Sequence, residues 1–237
     1  MRKIAVAVFV SGGGTNLQAL IDAQSKGILH SGEIRLVASG NPSAYALTRA
    51  QNAGIPTAAF DKKGMTQAQF EAALLAVLQE NNIELIVLAG FLSILSADFI
   101  RHYPNRILNV HPSLIPSFCG KGFWGLRVHQ AALDYGVKVT GATVHYVNEI
   151  PDGGRIILQR AVPVLEGDTP EILQKRVMEQ AEWELLPMAT VLTPNIPETE
   201  VLSGMEVKTA EDMVEAAKYI QDKKAGYYDM QDVVAGN

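Results

Sequence analysis

Apolar and polar positions along the chain fall into short apolar runs separated by stretches with helical spacing. The runs Ile4–Val10, Ile34–Ala38, Leu85–Ala89, Ile107–Val110, Ala142–Val147 and Ile156–Val164 are rich in β-branched residues. Near-continuous apolar runs of this length predict strands covered on both faces. Between them, Asn16–Ser25, Ala44–Ala53, Thr66–Asn81 and Val128–Tyr135 repeat apolar side chains every three or four residues and predict helices. Thr66 with Gln69 forms a capping box at the start of the third. Thr169 as N-cap and Pro170 at the first turn predict another helix over Pro170–Leu186. Strands alternating with helices are the mark of βαβ units, so the predicted fold class is α/β with a largely parallel sheet.

The pattern changes after Thr193. Asn195–Glu200 reads as a linker, and Thr209–Lys223 predicts a helix with Met213, Ala216, Ala217 and Ile220 on one face. Ala225–Asn237 shows no strong pattern, and the chain has no internal repeat.

Composition narrows the function classes. With 48% hydrophobic and 19% charged residues the chain is globular rather than disordered. A net charge of −5 argues against a nucleic-acid surface, which needs a basic excess, but leaves room for one small phosphate. No run approaches the roughly 18 apolar residues of a membrane span. The basic start at Arg2 and Lys3 resembles a signal peptide, yet its apolar run ends in Ser11-Gly12-Gly13-Gly14 without a cleavage site, so a first strand is expected. The single cysteine, Cys119, permits no internal disulfide and fits a reducing cytoplasm.

The glycine loop Gly12-Gly13-Gly14-Thr15-Asn16 follows the first strand and opens the first helix. Glycines let backbone approach a ligand, and a helix N-terminus offers free N–H groups to an anion. A dinucleotide is a poor fit: Leu17 stands where a third glycine belongs, and no acidic residue ends the second strand. The Lys-Ser/Thr ending of a nucleoside-triphosphate loop is also missing. A monophosphate fits best, with Ser11, Thr15 and Asn16 supplying further hydrogen bonds; a bare strand–helix turn is the alternative.

Asn109-Val110-His111-Pro112 carries the strongest chemical signal. Side chains two apart on a strand share a face, so Asn109 and His111 address one small volume at a strand end. An amide can hold a developing oxyanion, and an imidazole can move a proton near neutral pH. Among the five histidines, His30 and His102 read as solvated, His129 as packing or capping, and His145 as a satisfied interior residue on the face of Thr143. Spacing alone leaves His111 open between a catalytic and a structural role.

Five ordered motifs then converge: Ser11–Gln18, Leu85–Leu95, Asn109–Pro116, Gly141–Val147 and Asp152-Gly153-Gly154. Together they resemble the folate-dependent phosphoribosylglycinamide formyltransferases of purine synthesis over about residues 1–192. The resemblance implies the formyltransferase fold, a three-layer α/β/α arrangement with a mostly parallel, Rossmann-like sheet. It also implies formyl transfer from 10-formyltetrahydrofolate to the primary amine of glycinamide ribonucleotide, without a metal or a covalent acyl-enzyme. Asn109 would hold the oxyanion, His111 act as general acid/base, and Asp152, otherwise a turn-forming aspartate, tune His111.

Carried over by position, Gly12, Gly13, Gly14, Thr15, Asn16 and Glu182 correspond to ribonucleotide-binding residues. Lys63, Leu92, Ser93, Ile94, Leu95, Asn148, Glu149, Ile150 and Pro151, together with Asn109 and Asp152, correspond to the folate side. On its own Lys63 reads as a surface lysine. Residues 1–100 would form the phosphoribosyl-binding half, 101–192 the catalytic and folate half, and 193–237 an extension. The chain departs from the family pattern at Ser93, where many relatives carry arginine, at Trp183 and Arg155, and in the loop Ser117–Phe123.

Cys119 near His111 suggests a nucleophile, but no local charge favours a thiolate beyond Lys121. Formyltetrahydrofolate deformylase is one alternative reading, although it usually carries a further N-terminal domain and leaves the glycine loop unexplained. Methionyl-tRNA formyltransferase shares the His111–Pro116 region, and the acidic charge speaks against it. A non-catalytic nucleotide- or folate-binding module would be marked by loss of Asn109, His111 or Asp152. A monomer or homodimer acting without nucleic acid or membrane is expected.

Overall fold

A computed structural model describes residues 3–192 together with Glu215; the predicted linker and helix at 195–200 and 209–223 lie outside the described residues. Seven strands form one sheet: β1 (Ile4–Val10), β2 (Gly32–Ser39), β3 (Thr57–Ala59), β4 (Leu85–Leu88), β5 (Ile107–His111), β6 (Val139–Tyr146) and β7 (Ile156–Pro163). Their order is β3-β2-β1-β4-β5-β6-β7. The pairings from β3 through β5 are parallel, whereas β5–β6 and β6–β7 are antiparallel. The α/β expectation with a mostly parallel sheet therefore holds.

The apolar runs become strands because both faces are covered. Val6, Val8 and Val10 of β1 point into one core with Leu17, Leu20 and Leu47, while Ala5, Ala7 and Phe9 point into the other with Phe70, Leu74 and Phe99. The first core is roofed by α1 (Thr15–Ser25), α2 (Tyr45–Asn52) and the helices after β7. The second is covered by α3 (Gln67–Glu80) and α4 (Ala97–His102). The capping box at Thr66 and Gln69 forms as predicted.

Several elements differ from the sequence reading. β3 was not predicted; its three residues are held by pairing alongside β2. α4 was not predicted either, being six residues long, capped by the Ser96 hydroxyl and anchored by buried Phe99. The helix expected over Pro170–Leu186 is three pieces: α6 (Pro170–Val177), a π-helical turn at Met178–Glu182, and α7 (Trp183–Leu192). α5 (Leu126–Tyr135) starts two residues earlier than expected. No helix among the described residues is long and apolar enough to cross a membrane.

Candidate active site

At the end of the parallel run, β5 and β6 turn the two predicted groups toward a third. The antiparallel register sets Asn109 opposite His145 and His111 opposite Thr143. Asp152 reaches both histidines from the turn after β6: its Oδ2 lies 3.4 Å from His111 Nδ1 and its Oδ1 3.6 Å from His145 Nε2. Asn109 Nδ2 is 3.4 Å from Asp152 Oδ1 and 3.2 Å from His145 Nε2. The backbone N–H of Gly120 donates to Asp152 Oδ2 at 2.8 Å. His145, read from sequence as an interior residue, thus joins the cluster. Only the strand register, which the sequence does not print, could have found it.

Proton positions follow from the partners. Nε2 of His111 faces the Phe118 carbonyl at 2.9 Å, so it carries a hydrogen, and Nδ1 faces a carboxylate. Both nitrogens meet acceptors, a setting that suits the imidazolium. Burial nonetheless pulls the His111 pKa below its ordinary value, against the opposing pull of Asp152 and the Phe118 carbonyl. Nδ1 of His145 lies 2.8 Å from the Tyr146 carbonyl, which places a proton there, and Nε2 faces both the Asn109 amide and Asp152. For Asp152, burial pushes upward, but the His145 hydrogen bond, the His111 charge and the Gly120 N–H outweigh it and hold the carboxyl below the usual carboxylate range.

Tight local geometry presents these groups. Thr143 Oγ1 donates to the Ser113 carbonyl at 2.7 Å and accepts from Ile115 N at 3.0 Å and Gln159 Nε2 at 2.9 Å, tying the chain after β5 to β6. Asp152 sits at φ 55°, a left-handed conformation that aspartate tolerates better than most residues. The turn bearing it is closed by Asn148, whose Oδ1 accepts from Ile150 N and whose Nδ2 donates to the Gly153 carbonyl. Gly154 lies so close to the Tyr146 carbonyl that a Cβ could not fit.

Cys119 lies in the loop between β5 and α5, and burial together with Asp152 pushes its thiol up, away from thiolate character. His129 is 1% exposed with neither ring nitrogen hydrogen-bonded, and burial with the His111 charge lowers its pKa to about 4. It packs, as expected.

The glycine loop lies at the carboxyl end of β1. Gly14 takes φ 74°, and a Cβ there would come within 2.6 Å of the Ala46 methyl group. Gly12 and Gly13 have open space where a side chain would be. Arg49 clips the loop, its Nε donating to the Gly13 carbonyl at 2.8 Å, while Ala46 N donates to the Gly12 carbonyl at 3.0 Å. Asn16 turns inward and donates to Glu182 Oε2 at 2.7 Å. The π turn carries Glu182 to this point, and Thr15 Oγ1 contacts Met178 Sδ of the same turn at 3.8 Å. Burial raises the Glu182 pKa to about 7, only partly opposed by Asn16. The Asn16 Oδ1 atom is buried without a hydrogen-bond partner.

Between loop and cluster runs Leu92–Leu95. Leu92 N donates to Ser11 Oγ at 3.0 Å, and Gln67 Nε2 donates to the Ile94 carbonyl at 2.8 Å. Leu92, Ile94 and Ile150 are exposed apolar residues, and Leu95 is buried. Asn148, Glu149 and Pro151 lie exposed on the turn that carries Asp152. Lys63 is exposed on a 3₁₀ turn at Lys62–Gly64, whereas Lys62 reaches Ser93.

Residues 4–190 match the formyl transferase family, and the chain belongs to it. Over 191 residues it is 47% identical to the trifunctional purine biosynthetic protein adenosine-3 of Gallus gallus, covering 80% of this chain. The chain spans 18% of that longer relative. It is 41% identical over 189 residues to phosphoribosylglycinamide formyltransferase of Haemophilus influenzae, covering 79% of this chain and 85% of the other. Glycinamide ribonucleotide transformylase 1 from Symbiobacterium toebii superposes with a TM-score of 0.76 at 41% identity, covering 82% and 89% of the two chains.

Proposed function

We propose that this chain transfers the formyl group of 10-formyltetrahydrofolate to the primary amine of glycinamide ribonucleotide in purine synthesis. The observation that carries the reading is the meeting of Asn109, His111 and Asp152 at the end of β5, in a chain whose relatives bear this enzyme's name. The open backbone at Gly12 and Gly13 supports a ribonucleotide phosphate on the first turn of α1, with Glu182 and Asn16 facing the sugar or the glycinamide. The folate would lie along Leu92–Leu95 and Asn148–Asp152. Residues 1–100 and 101–192 then act as ribonucleotide and catalytic halves, with Glu182 reaching across to the first.

The chemistry needs no covalent enzyme intermediate. The substrate amine attacks the formyl carbon, forming the new C–N bond and a tetrahedral oxyanion. The Asn109 amide and protonated His111 stabilise that oxygen. Asp152 favours the His111 cation that the oxyanion requires. As the bond from the formyl carbon to the folate nitrogen breaks, the proton lost by the amine passes through His111 or a held water to that nitrogen. The products are the formylated amide and tetrahydrofolate. We assign the enzyme to the cytoplasm, as a monomer or homodimer, with no nucleic-acid or membrane partner.

A steady-state assay with 10-formyltetrahydrofolate, run with and without glycinamide ribonucleotide, tests the reading. Folate turnover that depends on the ribonucleotide is the expected result. Turnover without it would replace the transferase by a deformylase. Binding of both ligands without turnover would make the chain a binding module.

A further inference from the structure

We propose that Glu71 is a positioning residue for the co-substrate: through Ser96 and Gln67 it sets the backbone of Leu92–Leu95 against the pterin. The inference rests on the folate reading above. Residues 91–96 belong to no helix or strand, so side-chain hydrogen bonds hold their course. Leu92 N is tied at one end to Ser11, at the head of the glycine loop. The other end meets Glu71, a carboxyl near the start of α3 that is 5% exposed. Its Oε1 accepts from Ser96 N at 2.7 Å and from Gln67 Nε2 at 2.7 Å, and its Oε2 accepts from the Ser96 hydroxyl. Gln67 Nε2 also donates to the Ile94 carbonyl at 2.8 Å.

A carboxyl buried this deeply costs free energy unless donors surround it. A carboxylate only accepts, and its two oxygens can meet a backbone N–H, a hydroxyl and an amide together. Packing would be served by an apolar residue at 71, as it is by Phe70, Leu74 and Leu78 of the same helix. What the carboxyl adds is the orientation of its donors. The Ser96 hydroxyl is shared, since it also accepts from Phe99 N and so caps α4. Glu71 thereby locks the segment to α3 and α4 at once. With the Ile94 carbonyl drawn to Gln67, planarity of the peptide points the Leu95 N–H the opposite way. A backbone donor held in one direction suits the heteroatom-rich edge of a flat pterin. Leu92 and Ile94, at 64% and 67% exposure, add apolar surface beside it.

The test compares wild type with Glu71→Met, Glu71→Gln, Gln67→Met and Glu80→Gln, the last at an exposed carboxyl on the far end of α3. Steady-state constants are measured for both substrates, tetrahydrofolate binding is followed by titration calorimetry, and urea unfolding checks that each variant folds. Glu71→Met keeps the bulk and removes the acceptors. It is expected to raise the 10-formyltetrahydrofolate KM and the tetrahydrofolate Kd about three- to tenfold. The ribonucleotide KM and kcat should hold, because the glycine loop keeps its own ties and saturating folate restores the segment. Glu71→Gln should recover most of the affinity, since its carbonyl still accepts and the Ser96 hydroxyl can turn to accept from its amide. Gln67→Met, an exposed change that leaves Glu71 on Ser96, should raise the same two constants about two- to fivefold. It decides the matter if Glu71→Met does not fold. Glu80→Gln should match wild type. Unchanged folate constants in Gln67→Met, or in a folded Glu71→Met, would overturn the assignment. A loss shared equally by both substrates would mark general damage to the fold and overturn it too. Failure of wild type to bind tetrahydrofolate would instead strike the folate reading, and the assignment with it.

Discussion

Asp152 and Glu182 are both shielded from water, and desolvation pushes both carboxyls upward, yet they end at opposite places. Asp152 has two imidazoles and a backbone N–H around it and stays ionised. Glu182 has one neutral amide, from Asn16, and is raised to about 7. Burial alone therefore does not decide the charge of a carboxyl; the charge of its neighbours does. One end of the site holds a carboxyl kept ionised beside two imidazoles. The other holds a carboxyl that titrates near neutrality and can meet a ligand either as donor or as acceptor.

The comparison breaks most sharply at His111. In the proposed mechanism His111 carries the proton, so replacing it with alanine is expected to lower kcat by about 10²–10⁴. Circular dichroism of the variant should match wild type, and equal turnover would remove His111 from the mechanism. Asp152→Asn comes next, with an expected tenfold or greater loss in kcat/KM. Since Asp152 raises the His111 pKa, its neutralisation lowers it, and the limb of the pH–rate profile that falls as His111 deprotonates should move to lower pH. An unmoved limb would separate the two residues.

Glu182→Gln sharpens the contrast through stability. A folded pKa of about 7 against an ordinary 4.5 means the unfolded chain ionises first as pH rises. Wild type is therefore unpenalised below about pH 4.5 and loses stability up to about pH 7, by on the order of 3 kcal/mol at most. Glutamine, which cannot ionise, should gain on wild type in urea unfolding at pH 8 and not at pH 4.5. The opposite sign applies to Asp152, whose lowered pKa stabilises the fold above the ordinary aspartate range and loses that effect in acid. Arg49→Met is the mildest change. Freed from its clip at Gly13, the loop should bind ribonucleotide about three- to tenfold more weakly, with kcat for saturating substrate retained.

Much of the frame was legible because burial on both faces writes long apolar runs. β1 matches its predicted span, and the Thr66–Gln69 capping box marks the start of α3. β3 and α4 were missed because three and six residues hold no full period; tertiary pairing and the anchor at Phe99 make them. The π turn is invisible for a similar reason, since five residues cannot show a changed repeat against the helices on either side. Asn109 and His111 were readable from their shared strand face. His145 was not, because its nearness to Asn109 is a matter of register between strands far apart in sequence. The Lys62–Ser93 contact likewise depends on a turn whose direction no local pattern sets.

The contact between Asn16 and Glu182 also bears on how the protein is made. Chains emerge from the N-terminus at about 5–20 residues per second, so the first four strands are complete well before Glu182 exists. During that interval the Asn16 amide has no carboxylate to meet, and the core face of α1 awaits Leu185 and Ala189 of α7. The loop that opens the molecule is thus among the last parts to be finished. A nascent chain stalled near residue 180 would hold β5 and β6 while its glycine loop remained without its partner.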